Sequence, residues 1–289
     1  MIRKRAAGCT LAWILLFAPL TDAQQPLGAL PVTSSAPGLE LLQGQVMIGH
    51  KKVAITLVRG SLDVYHVELG VTLNSGSGES VVSFQERSQA AAVISGGFLT
   101  SFYPPIPLGA VKHAGALVNR PAGGDLLTGL LLVARGKPSI QKFRGEADLT
   151  RWDEALQSGP MLLAAGRSAL PDATGIRTQS TRLLIGNEHS RAFIALSNDG
   201  RFMMAVTGAV GLPALADFLA RPAAQGGLAC VDALSLGGGG SEGILVSIGG
   251  RRISAGNTQS YLANAILIKP AASTTLQRAR PTRGAAKKR

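Results

Sequence analysis

Cysteine is almost missing from this chain: 289 residues carry two, Cys9 and Cys230. A disulfide framework needs paired cysteines in the mature protein and a thiolate metal site needs a cluster, so both are excluded. Cys230 lies in the apolar run GLACVDAL and reads as a buried small hydrophobe. The four histidines, His50, His66, His113 and His189, lack metal-ligand spacing. His113 is near enough to a glycine-rich segment to line a pocket, although a lone histidine is more often structural. No nucleophile elbow and no phosphate loop is recognised, which sets aside the serine α/β-hydrolase and nucleotide-phosphate classes. No metal and no cofactor is implied.

Aromatic content is low at 4%, while apolar content of 46% is ample for a core. The 36 glycines follow no regular period, which excludes collagen-like chains. Long apolar runs are scarce too. The one at Leu11–Leu20, LAWILLFAPL, is too short for a comfortable membrane span. Preceded by Arg3, Lys4 and Arg5 and followed by Thr21-Asp22-Ala23, it reads as an export signal over residues 1–23, with an uncleaved signal anchor as the alternative. The expected location is periplasmic or secreted.

The net charge is +12, but it is concentrated at the ends. Arg3, Lys4 and Arg5 and the tail residues Arg278, Arg280, Arg283, Lys287, Lys288 and Arg289 account for most of it, leaving a body near +3. The basic tail, 271–289, reads as disordered and suited to an anionic envelope surface. No nucleic-acid partner is expected.

Residues 24–44, rich in Pro, Ser and Gln, read as a linker. Residues 45–270 then form a single α+β domain with a mixed, largely antiparallel sheet and few peripheral helices. Lys52–Arg59 and Asp63–Leu73 alternate apolar and polar residues and suggest an antiparallel pair across the Arg59-Gly60-Ser61 break. Further strands are expected at Ala91–Ile94, Leu130–Ala134, Met161–Ala164, Leu183–Ile185, Ala192–Leu196, Met203–Val206, Ala233–Leu236, Ile244–Ile248 and Ala265–Ile268, the last ending near Lys269-Pro270. Pro213–Ala220 predicts a helix with proline at a tolerated early position. Arg151–Gln157 suggests a second, shorter one.

Asp232–Val246, DALSLGGGGSEGILV, stands out. Consecutive glycines between two apolar runs mark either a tight turn between strands or backbone approaching a ligand where a Cβ would clash. Upstream lie AVISGGFLTSFYPPIPLGAVKHAGALVN (Ala92–Asn119), ALQSGPMLLAAG (Ala155–Gly166), TRLLIGN (Thr181–Asn187) and SNDGRFMMAVTG (Ser197–Gly208). In this order the segments resemble the phosphodiester glycosidase family over about Ala91–Ile268.

That resemblance implies an enzyme that hydrolyses a sugar-1-phosphodiester of an envelope or extracellular glycan, or a degenerate member that binds a phosphorylated glycan without turnover. The family pattern has an Asn before its first Gly-Gly-Phe, an Arg opening its Ile-Gly strand, and an Asp before its last three glycines. Here Ser95 replaces the Asn, Arg182 matches the Arg, and Gly237 replaces the Asp. Gly96, Gly97, Gln157, Ser158, Gly238, Gly239, Gly240 and Ser241 match the remaining loop positions and become candidate substrate-binding residues. Arg182 is the candidate for holding phosphate, since a guanidinium fork can grip two phosphate oxygens; otherwise it is a strand-edge arginine in an ion pair. Glycine segments can add backbone N–H donors. Ser95 is a candidate for a sugar hydroxyl, and Glu242 for the carboxylate that Gly237 cannot supply.

Overall fold

The computed structural model of the protein describes residues 30–72, 77–145, 147–171, 176–237 and 240–271. Strands β1 (Val32–Ala36), β2 (Leu39–Ile48), β3 (Lys51–Ser61) and β4 (Tyr65–Val71) precede helix α1 (Val81–Ser88). β5 (Ala92–Ser95), β6 (Leu99–Phe102), β7 (Pro105–Pro107), β8 (Val111–His113) and β9 (Ala116–Asn119) follow. Next come β10 (Gly129–Ala134), β11 (Lys137–Lys142), β12 (Glu154–Ser158), β13 (Met161–Ala164), β14 (Arg167–Ser168) and α2 (Gln179–Gly186). The last part holds β15 (His189–Ser197), β16 (Arg201–Val210), α3 (Leu212–Ala220), β17 (Cys230–Ser235), β18 (Gly243–Ile248), β19 (Arg251–Gly256) and β20 (Asn264–Pro270).

An eight-stranded sheet has the order β1-β2-β3-β16-β15-β17-β13-β14. Two five-stranded sheets run β11-β10-β12-β8-β9 and β19-β18-β5-β20-β4, and β6 with β7 forms a separate hairpin. Every strand pairing among the described residues is antiparallel. The architecture is α+β and mostly β, with short helices on the outside.

Burial on both faces explains the sequence. In β15, Ala192 and Ile194 point into the central core between the sheets, while Phe193 and Ala195 pack under α3. In β20, Ile266 and Ile268 enter that central core and Ala265 and Leu267 face α1. Successive side chains of a strand point to opposite faces, so strands covered on both sides read as continuous apolar runs. Each large side chain fully buried in this way contributes about 1.5–3 kcal/mol.

Several expectations need correction. The described part of the expected linker, from Leu30, supplies β1 and the first half of β2. Its Leu39, Leu41 and Leu42 are buried, which its Pro/Ser-rich composition hid. β3 and β4 do not pair with each other. β3 lies between β2 and β16, whereas β4 pairs with β20 in another sheet. Leu183–Ile185 belongs to α2, whose Thr178 cap accepts a hydrogen bond from Thr181 N–H and whose buried residues are Thr181 and Ile185. That i, i+4 spacing is helical. Arg151–Gln157 instead runs into β12, with Ala155 and Leu156 packed on opposite faces. α3 and the end of β20 at Pro270 match expectation.

Cys230 opens β17 and is buried beside Met203. Loss of hydration pushes its thiol up to about 12, so almost no thiolate exists at neutral pH. In the native protein, iodoacetamide should leave Cys230 unmodified over hours at pH 8 while labelling it fully in 6 M guanidinium, as read by peptide mass spectrometry. Rapid native labelling would contradict the buried placement.

Candidate active site

β17 and β18 belong to different sheets, so the segment joining them crosses from the eight-stranded sheet to a five-stranded one. Beside it β5 ends in Ser95-Gly96-Gly97, and next to that β12, of the third sheet, ends in Gln157-Ser158. The contacts are direct. Gly237 N–H donates to the Gly96 carbonyl at 3.0 Å, and Gly243 N–H donates to Ser95 Oγ at 3.1 Å. A Cβ on Gly97 would lie 3.3 Å from the Gln157 carbonyl oxygen. Three segments distant in sequence thus form one cluster. Gly238 and Gly239 lie outside the described residues.

The described glycines of the cluster turn their amides to partners within the protein rather than to open space. Gly96 N–H donates to the Asn264 carbonyl at 3.1 Å, Gly97 N–H to Asn264 Oδ1 at 2.9 Å, and Gly240 N–H to Glu242 Oε2 at 2.7 Å. With Gly237 also engaged, the amides of all four are used within the protein. Their glycine character answers to close packing instead: a Cβ on Gly96 would fall 1.9 Å from Asn264 Oδ1, which no side chain tolerates. Asn264, missed in the sequence because no motif surrounds it, organises this cluster from the start of β20. Its Nδ2 and the Ser158 Oγ are buried without hydrogen-bond partners among the described residues.

Gln157 and Ser95 are engaged within the scaffold. Gln157 is fully buried; its Oε1 accepts from Ala110 and Ala122 N–H, and its Nε2 donates to the Ala122 and Leu127 carbonyls. That satisfies the whole amide. Ser95 is buried, with its hydroxyl holding the first amide of β18. Ser241 leaves this cluster and lines a neighbouring cleft with Tyr103 and Tyr261. Gly239–Gly243 spells G-x-S-x-G, but a strand follows it instead of the helix an elbow requires.

Arg182 does not join the site. It lies on the exposed side of α2, with Nη2 reaching the Ile176 carbonyl at 3.5 Å as its one hydrogen bond from the side chain among the described residues. TRLLIGN is a helix, so its arginine cannot open a strand. Arg191 does open one: it stands at the head of the buried run of β15 and is 5% exposed. Its Nε donates to the Val210 carbonyl at 3.0 Å, and Nη2 donates to Leu184 and Asn187 carbonyls at 2.8 and 2.7 Å. The last two lie at the C-terminal end of α2, where a cation is favourable. Burial lowers the guanidinium to about 10, opposed by the charge of Glu242; it is cationic at neutral pH. The signal for it was an arginine directly preceding AFIAL.

Glu242 is 5% exposed. Ser190 Oγ donates to its Oε1 and Gly240 N–H to its Oε2. Among the described residues it is the one carboxylate lining a cavity of about 420 Å³ between the eight-stranded sheet and the β18–β19 pair, together with Ser190, Thr207, Thr56 and Gln43. A carboxylate fixed by two donors, with a buried cation nearby and hydroxyls around it, can accept a proton from water or attack an electrophilic carbon. Among the described residues, no three His, Cys, Asp or Glu side chains gather to hold a metal. His113 is elsewhere, its Nδ1 2.9 Å from Glu154 Oε2; that hydrogen bond raises the imidazole above its ordinary value.

Comparison with known proteins bears on the fold and the family. The sequence matches no curated protein. The fold is similar to the zebrafish N-acetylglucosamine-1-phosphodiester α-N-acetylglucosaminidase catalytic domain, auto-inhibited by its pro-peptide. That likeness has TM-score 0.63 and 15% identity, and covers 83% of this chain and 86% of the other. A hypothetical protein from Synechocystis is similar at TM-score 0.59 and 16% identity, over 83% of this chain and 64% of that one. A Burkholderia pseudomallei protein described as exported gives TM-score 0.52 and 14% identity, over 76% and 74%. At such identities these structures establish the fold alone. The phosphodiester glycosidase family model, however, matches residues 88–269, more than half of the sequence and every segment of the glycine cluster, and the chain belongs to that family.

Proposed function

We propose that this protein hydrolyses a sugar-1-phosphodiester, with Glu242 as the working carboxylate. The observation carrying this reading is a buried carboxylate, held by Ser190 and Gly240, at the wall of a cavity beside the glycine segment. Most glycosidases need two carboxylates, one of them to protonate the leaving oxygen. A phosphomonoester leaves as a stabilised anion, so one carboxylate suffices. Water attacks the anomeric carbon, Glu242 takes its proton, and the C1–O bond breaks with its electron pair going to the phosphate oxygen. The Arg191 charge nearby favours the anionic product side. The activity named for the zebrafish enzyme supports the substrate class.

Export fits this chemistry. Residues 1–23, outside the described residues, read as a signal, and no described helix is long and apolar enough to cross a membrane. The substrate is then an envelope or extracellular glycan, and the Arg278–Arg289 tail, also outside the described residues, suits an anionic envelope surface.

A second reading, binding of a phosphorylated glycan without turnover, is favoured by Gly237. It supplies no carboxylate, and a Cβ there would sit 2.9 Å from the Gly97 carbonyl oxygen. The purified protein, incubated with the methyl phosphodiester of N-acetylglucosamine-1-phosphate in H₂¹⁸O, separates the two. Hydrolysis at carbon places ¹⁸O in the sugar and none in methyl phosphate. Saturable binding with no release supports the second reading; ¹⁸O in the phosphate overturns the first.

A further inference from the structure

Aromatic residues are scarce in this chain, 4% of the sequence, and nearly all that are described are buried or half-buried. The exceptions are Phe102, Tyr103 and Tyr261, 62%, 75% and 49% exposed, and all three line one cleft of about 400 Å³. Such clustering of costly exposed apolar surface marks a binding site. We infer that this cleft is a stacking subsite for a neutral pyranose ring of a glycan.

The platform is built before any ligand arrives. Phe102 ends β6, Tyr103 begins the turn to β7, and Tyr261 comes from the loop between β19 and β20. The two tyrosine rings meet edge to face, centroids 6.1 Å apart at 67°. Beneath them the Gly78 backbone is wedged so closely that a Cβ would lie 2.8 Å from Pro105 Cγ and 3.0 Å from Tyr261 Cβ. Aromatic faces offered this way suit the C–H faces of a sugar ring, and the tyrosine hydroxyls suit its rim.

The rest of the lining is Ser241, Asn257, Gln259 and Ser260, all neutral hydrogen-bonding groups. With no charged side chain among the described residues of the wall, the phosphate is not what binds here; an uncharged ring with hydroxyls is. The side-chain amide of Gln259 and the hydroxyl of Ser241 make no hydrogen bond among the described residues, which leaves donors and acceptors for such a ring.

Position ties the cleft to the reaction. Asn257 Nδ2 and Ser260 Oγ donate to the Gly240 carbonyl at 2.9 and 3.3 Å, and the amide of that same Gly240 holds Glu242. One residue therefore joins the stacking cleft to the buried carboxylate. The choice of ligand class rests on the glycosidase reading; the cleft's geometry does not.

Isothermal titration with cellotetraose and with tetra-N-acetylchitotetraose tests this. Wild type should bind at least one, and Y103A and Y261A should each weaken binding by about tenfold or more, with unchanged melting temperatures because both rings are exposed. No binding of either oligosaccharide, or undiminished binding by the Y103A/Y261A double variant, overturns the subsite. So does a dimer in light scattering that Y103A dissolves, since a second copy would then be the occupant. E242Q keeps the two readings apart: it should bind the oligosaccharide as wild type does while losing turnover. Tyrosine-dependent binding in a wild type that hydrolyses nothing would sink the hydrolase and leave the subsite standing.

Discussion

Arg191→Met should destabilise the protein by about 3–5 kcal/mol and abolish hydrolysis, whereas Arg182→Ala should shift stability by less than about 0.5 kcal/mol and leave turnover unchanged. The difference follows from what each guanidinium touches. Arg182 lies on an exposed helix face with one long hydrogen bond among the described residues, to Ile176. Arg191 is buried and satisfies the carbonyls of Val210, Leu184 and Asn187. Removing it leaves three carbonyl acceptors, that of Val210 buried, without their donor and takes a buried positive charge away from Glu242. Methionine fills similar volume, so the loss reports polar and ionic interactions more than a cavity. Arg191→Lys keeps the charge but cannot reach Val210 on one side and the end of α2 on the other with a single ammonium; it should fold and lose about tenfold in kcat. Urea melts and turnover per folded molecule decide it. A stable Arg191→Met with normal kcat would remove Arg191 from both roles.

That contrast also shows what was readable. The motif order along the chain identified the family and brought Ser95–Gly97, Gln157-Ser158 and the glycine segment into one cluster, because each marks a strand end where backbones approach closely. The segment around Arg182 reads as a strand because LLI in TRLLIGN is too short to reveal its period; the Thr178 cap and the i, i+4 pair Thr181 and Ile185 declare a helix. The pairing of β3 with β2 was hidden by Leu39–Leu42 sitting in a Ser/Pro-rich stretch, and β4 pairs with the last strand, some 200 residues away in sequence. Strand pairing at such distance leaves no local trace. Asn264 leaves none either, since a lone asparagine in LANAILI looks like the edge of a strand until its side chain is seen holding Gly97.

Glu242→Gln should lower kcat by about a thousandfold or more with little change in melting temperature. The amide has nearly the carboxylate's shape. Its oxygen can still accept from Gly240 N–H, and its NH₂ can donate to Ser190 Oγ, so the loop keeps its form while losing the base. Gly237→Asp, which would restore the family's acid, should not raise activity. Its Cβ would meet the Gly97 carbonyl oxygen at 2.9 Å and that of Gly96 at 3.3 Å, and the added carboxylate would enter next to those two carbonyl dipoles. Relieving the overlap should cost about 1–3 kcal/mol. Glu242→Ala with added azide offers a sharper assay: a small anion entering the vacated space should restore cleavage and yield a glycosyl azide, which a merely structural Glu242 would not permit. If Gly237→Asp instead raises kcat tenfold without lowering the melting temperature, the segment can accept the acid and the wild-type site is a decayed one. If Glu242→Gln retains more than about a tenth of wild-type kcat, the base lies elsewhere, and the cavity beside Ser190 is not where the bond breaks.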